Sequence, residues 1–115
     1  MAVDVGHFHG EPGVISASGI PEFEFNLKLA LQTKKELEER GLAVRMIGEN
    51  RPFADERNGV HFYDNLGVGK TALMPSVLVE AGVIVNRKEE VRMLDPQVRA
   101  LVARSIAQGA AACLR

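Results

Sequence analysis

Three short apolar runs set most of what this chain can fold into. Residues 1–5, 42–47 and 76–79 are rich in Val, Leu, Ile and Met, and each is too short for a stable helix. Runs of this length bounded by turn residues suit buried strands. Gly6 ends the first, Gly41 precedes the second and Pro75 precedes the third. We therefore expect buried strands over residues 3–5, 44–47 and 77–79. The stretches between and after them carry helical spacing. Strands alternating with helices favour an α/β fold, a mainly parallel sheet flanked by helices.

The first helix should begin at Pro21, where a fixed φ and a missing N–H cost nothing. Phe23, Leu27, Ala30, Leu31 and Leu37 recur at helical spacing. Glu36, Glu38, Glu39 and Arg40 form a solvated end, and Gly41 suits the position just past it. Asn86 reads as the cap of a second helix, with Glu89 at the capping-box position. Asp95 and Pro96 start a third. Its apolar stripe would be Val98, Leu101, Val102, Ile106 and Cys113. The lone Cys113 is expected as a small buried hydrophobe.

Composition narrows the function. At 115 residues the chain is one domain's worth of material, residues 1–115, with no repeat and no low-complexity linker. A net charge of -1 and 25% charged residues give no footprint for nucleic acid or an anionic membrane. No run approaches the ~18 apolar residues of a membrane span. The opening Met1-Ala2-Val3-Asp4 does not read as a signal peptide. Oligomeric state is not encoded in any feature of the sequence.

Metal-ligating side chains collect at three places. His7 follows the first strand, Glu22 and Glu24 open the first helix, and Glu80 follows the third strand. Carboxyl ends of parallel strands share one edge, the usual site of α/β chemistry. The blander readings are a loop histidine for His7 and favourable helix-dipole charges for Glu22 and Glu24. Glu80 lies between two apolar runs, where an ionised carboxylate needs a partner.

The motifs go further than the spacing. Val3-Asp4-Val5-Gly6-His7 followed by Pro12-Gly13 resembles the opening strand and metal loop of the zinc-dependent N-acetylmuramoyl-L-alanine amidases. Glu22-Phe23-Glu24-Phe25-Asn26-Leu27 is similar to that family's glutamate-bearing helix start. Arg40 to Val44 resembles its helix end and second strand, and Met74 to Asn86 its closing strand, with Glu80, Gly82 and Asn86 in place. The resemblance covers residues 1–47 and about 74–114. It implies a cell-wall hydrolase that cuts the amide between N-acetylmuramic acid and L-alanine in peptidoglycan, working in the periplasm or outside the cell. It further implies that His7 and Glu22 ligate Zn2+, and that Glu80 is the catalytic carboxylate.

The chain departs from the family between its second and closing strands. The family's third ligand, a histidine in a Ser-Ile-His-like strand, has no counterpart, so the sheet should have fewer strands. His61, in Gly59-Val60-His61-Phe62-Tyr63-Asp64, is the candidate for that ligand by chain order, with His9 as a weaker fallback. The alternative reading is an inactive remnant of the amidase fold with impaired zinc binding. Gly67-Val68-Gly69-Lys70-Thr71 looks like the end of a nucleotide-binding loop, but Asp64 stands where its first glycine should be. No nucleotide or other organic cofactor is expected.

Overall fold

The computed structural model describes residues 1–48 and 75–114. Two strands, β1 (Ala2–Asp4) and β2 (Arg45–Ile47), pair in parallel with Ala2 opposite Arg45 and Asp4 opposite Ile47. The N–H of Val5 donates to Ile47 O at 2.9 Å and the N–H of Arg45 to Met1 O at 2.9 Å, extending the ladder at both ends. Parallel neighbours need a crossover. Here it is α1 (Glu22–Glu38), which packs on β1. Among the described residues two further helices follow, α2 (Arg87–Leu94) and α3 (Pro96–Cys113). Helices around a two-stranded parallel sheet are an α/β arrangement, as the alternation of the sequence implied.

Local chemistry explains the helix ends. Pro21 sits extended at the N-cap of α1, Glu22 and Glu24 face the positive end of its dipole, and Lys35 lies in its last turn. The C-terminus closes in a Schellman motif. Gly41 adopts φ 80°, its N–H donates to Glu38 O at 2.9 Å, and the N–H of Leu42 donates to Leu37 O at 3.2 Å. Asn86 Oδ1 caps α2 through the N–H of Lys88 at 2.9 Å, and Asp95 Oδ1 caps α3 through the N–H of Gln97 at 2.8 Å. The reciprocal half of the expected capping box is absent. The N–H of Asn86 donates to Val83 O, and the Glu89 carboxylate pairs with Arg92 at 3.0 Å.

α1 serves two apolar clusters. Phe23 and Ala30 join Val5 and Phe8, with Val3, Leu27 and Met46 at the margin. Phe25 joins Ile84 and Met93, with Ile20, Leu29 and Ala81 around them. Phe23 is 1% exposed, and burying such a side chain contributes about 1.5–3 kcal/mol. α1 also packs along α3, whose buried residues are Ala103 and Ala107. Small residues let helix axes approach closely. The Glu36 carboxylate, held below its ordinary pKa chiefly by its hydrogen bond to Arg40, also reaches Arg104 at 3.6 Å across that seam.

Several sequence expectations are corrected here. Residues 75–83 form no strand, and Val77 is 86% exposed. A continuous apolar run specifies no register by itself, and among the described residues this one finds no ladder partner. Among the described residues it docks at its far end, through Ala81 and buried Ile84. The face of α3 is rotated from the expected stripe: Ala103 and Ala107 are buried, Leu101 is 62% exposed, and Cys113 is exposed. Leu31 on α1 is exposed as well, and Phe25 takes its place in the core. In α3 side-chain size misled the pattern, because the seam with α1 buries small residues in place of large apolar ones; in α1 it is Phe25 that turns inward, towards Ile84 and Met93. The expectations for His61 and for Gly67–Thr71 lie outside the described residues.

Candidate metal centre

The loop between β1 and α1 returns on itself and brings its two ends together. His7 stands at φ 65°, the left-handed region that costs a residue with a Cβ roughly 1–2 kcal/mol. Neighbouring bonds hold it there. The Asn26 side-chain amide donates to Gly6 O at 3.1 Å from one turn into α1. Phe8 and Glu11 exchange backbone hydrogen bonds at 3.3 and 3.0 Å, closing a tight turn directly after His7. His9 leaves the site, since its ring packs edge-on against Phe23 with centroids 4.6 Å apart.

The far end of the loop is tied equally closely. The N–H of Phe23 donates to Pro12 O at 3.0 Å and the N–H of Glu22 to Val14 O at 2.9 Å. Val14 returns the contact, its N–H donating to Glu22 Oε2 at 3.1 Å. That oxygen lies 3.4 Å from His7 Nε2, and both side chains are about one-quarter exposed. A histidine and a glutamate are thus held by backbone geometry, accessible from solvent, with their donor atoms side by side.

Gly13 forms the wall behind them. It adopts φ 77°, and a Cβ on it would lie 2.6 Å from Glu22 Oε2, 2.8 Å from Glu22 Cβ and 2.8 Å from His7 Cδ2. Only glycine leaves room for both side chains at this approach.

The resemblance also singles out Glu80. Glu80 is exposed, on the segment before Ile84. The expected carboxylate between two buried stretches is therefore not Glu80. Among the described residues, no group of three His, Cys, Asp or Glu side chains is arranged to hold a metal. His61 lies outside those residues.

A buried carboxylate does exist ten positions later, and sequence reasoning missed it. Glu90 of α2 is 0% exposed. It accepts the backbone N–H of Ser18 at 2.9 Å and the Ser18 hydroxyl, and Arg87 donates to its other oxygen at 2.6 Å. The Ser16 and Ser18 hydroxyls, the Ser18 N–H and Arg87 outweigh burial and lower its pKa from 4.5 to about 2. The signal available in the sequence was its place three residues before Met93, on the same face of α2.

This depression has a pH consequence. The fold favours ionised Glu90, so its stabilisation is complete above the unfolded value near 4.5 and is lost as pH falls towards about 2. Urea denaturation between pH 5 and pH 2 should show stability falling with acid, and a shallower fall in Glu90→Gln. Equal slopes in the two proteins would contradict the assignment.

Comparison with known proteins agrees with the motifs. The family model for N-acetylmuramoyl-L-alanine amidase matches residues 1–60, more than half of the chain. The chain belongs to the N-acetylmuramoyl-L-alanine amidase family. It matches no curated protein and no solved structure. The matched region contains the whole loop with His7, Gly13 and Glu22.

The donor pair fits the metal that the family implies. Zinc bonds of about 2.0–2.2 Å to nitrogen and oxygen in a tetrahedral site put two ligand atoms about 3.4 Å apart. His7 Nε2 and Glu22 Oε2 have that separation. The Val14 N–H on the same carboxylate oxygen is the kind of outer contact that orients a ligating group.

Proposed function

We propose that this chain is a zinc-dependent amidase that hydrolyses the amide between the lactyl group of N-acetylmuramic acid and L-alanine in peptidoglycan. The observation that carries the reading is the 3.4 Å approach of His7 Nε2 and Glu22 Oε2, within the family-matched loop. His7 and Glu22 are two ligands of the metal, and His61 supplies the third. Zinc, when bound, polarises the scissile carbonyl and acidifies the attacking water. Glu80, exposed and thus accessible to substrate, takes the proton from that water and returns it to the leaving amine. His7 and Glu22 stay fixed throughout, because Asn26, Val14 and Gly13 confine their loop.

The substrate places the reaction at the cell wall, in the periplasm or outside the cell. Among the described residues no helix is long and apolar enough to cross a membrane.

The test is digestion of a defined muropeptide by wild type, Glu80→Ala and His61→Ala, with zinc content measured on each. Wild type should release the L-alanyl peptide. Glu80→Ala should lose about 10²–10⁴-fold in rate while keeping its zinc, the usual scale for a general acid–base group. His61→Ala should lose both zinc and rate. Zinc loss in Glu80→Ala would move that residue into the ligand set, and equal zinc and rate in His61→Ala would remove His61 from it. A wild type that binds no zinc and releases no peptide would favour the inactive remnant.

A further inference from the structure

We infer that Glu90 is a positioning residue, which clasps the segment bearing Glu80 onto the loop bearing His7 and Glu22. Its functional consequence rests on Glu80 being the proton-transferring group.

The two proposed halves of the site come from distant parts of the sequence. His7 and Glu22 are fixed by short-range bonds inside residues 6–26. Among the described residues Glu80 has no such frame, because residues 75–80 are exposed and pair with no described strand. What holds its segment lies immediately after it. Ala81 packs at the margin of the Phe25, Ile84 and Met93 cluster. Ile84 O accepts the N–H of Ala17 at 3.2 Å. One residue beyond Ala17, Ser18 gives both its N–H and its hydroxyl to Glu90 Oε1. Glu90 Oε2 takes Arg87 from its own helix at 2.6 Å.

The carboxylate therefore has donors on both oxygens, and its loop contacts lie next to the backbone bond that links residue 84 to the loop. Ser16 reinforces the turn, its hydroxyl accepting the N–H of Ile20 at 2.9 Å. A fully buried charge is retained at a cost unless every lone pair is served. Here both donors on Oε1 belong to Ser18 of the loop, so the cost of breaking the clasp is transmitted to the loop–segment contact. A reacting group displaced by about 1 Å can lose 10²-fold in rate, and the clasp guards against that displacement.

The experiment compares Glu90→Gln with wild type by amide hydrogen exchange, zinc affinity and steady-state hydrolysis. The Ala17 amide should exchange at least about tenfold faster in Glu90→Gln, reporting local opening at the clasp. The rate constant kcat should fall about tenfold, while KM and the zinc Kd stay within about twofold, because orientation and not metal binding is lost. Unchanged Ala17 exchange, or zinc affinity falling in step with kcat, overturns the proposal. Ser18→Ala keeps the backbone donor and should show the same pattern at smaller size; it decides the matter if Glu90→Gln does not fold. A wild type that releases no peptide sinks the amidase reading, and the Ala17 comparison still decides the clasp.

Discussion

Glu22→Ala is expected to lower zinc affinity by at least about a hundredfold, the upper end of what loss of an outer-shell group costs. The carboxylate oxygen beside His7 Nε2 disappears, and with it one edge of the coordination site. The Val14 N–H loses its acceptor at the same time, which loosens the return of the loop. Some loss of fold stability accompanies this, since Glu22 also faces the positive end of the α1 dipole, an effect of about 0.3–1 kcal/mol. Glu22→Gln separates the two effects. It keeps an oxygen acceptor for Val14 but lacks the negative charge that favours a cation. Zinc competition titration should rank wild type above Glu22→Gln, and Glu22→Gln above Glu22→Ala. Wild-type affinity in Glu22→Ala would remove this residue from the ligand set.

Gly13→Ala should be nearly as damaging although it removes no ligand. The new methyl would stand 2.8 Å from Glu22 Cβ, an atom on the helix that has no rotamer by which to retreat. The other close atoms, Glu22 Oε2 and His7 Cδ2, belong to the donor pair itself. Left-handed backbone at φ 77° adds roughly 1–2 kcal/mol of strain for a residue with a Cβ. The relief open to the loop is to part His7 from Glu22. We expect zinc affinity to fall at least about tenfold, since one pair of ligands leaves the geometry zinc requires, with α1 and α3 still folded by circular dichroism. Gly19→Ala is the control, since Gly19 shares the positive φ but a Cβ there meets nothing within 4 Å. It should lose stability and keep its zinc. Equal zinc affinity in Gly13→Ala and wild type would contradict the packing argument.

The candidate site was legible in the sequence where its geometry is local. His7, Glu22, Asn26 and the Pro12-Gly13 pair lie within twenty residues of one another, and motif and turn chemistry suffice to bring them together. The same holds for the helix caps Asn86 and Asp95, which act within two residues. The strands formed at β1 and β2, where the run of one matches the run of the other in parallel register. What the sequence did not reveal was long-range. Ser18 and Glu90 are 72 positions apart, and neither a serine in a loop nor a glutamate in a helix signals its partner. The run at residues 77–79 has the composition of a strand, but pairing depends on an available edge, which composition does not contain. The rotated face of α3 has the same origin, because Ala103 and Ala107 are chosen by their proximity to α1 and carry almost no hydropathy signal.

Whether His7 and Glu22 hold zinc is read most directly by X-ray absorption at the zinc edge on chain loaded with one equivalent. Light-atom ligands at about 2.0–2.1 Å are expected, with outer-shell imidazole scattering that weakens in His7→Ala. A spectrum of fully hydrated zinc, or a zinc–sulfur distance of about 2.3 Å from exposed Cys113, would contradict ligation by this pair.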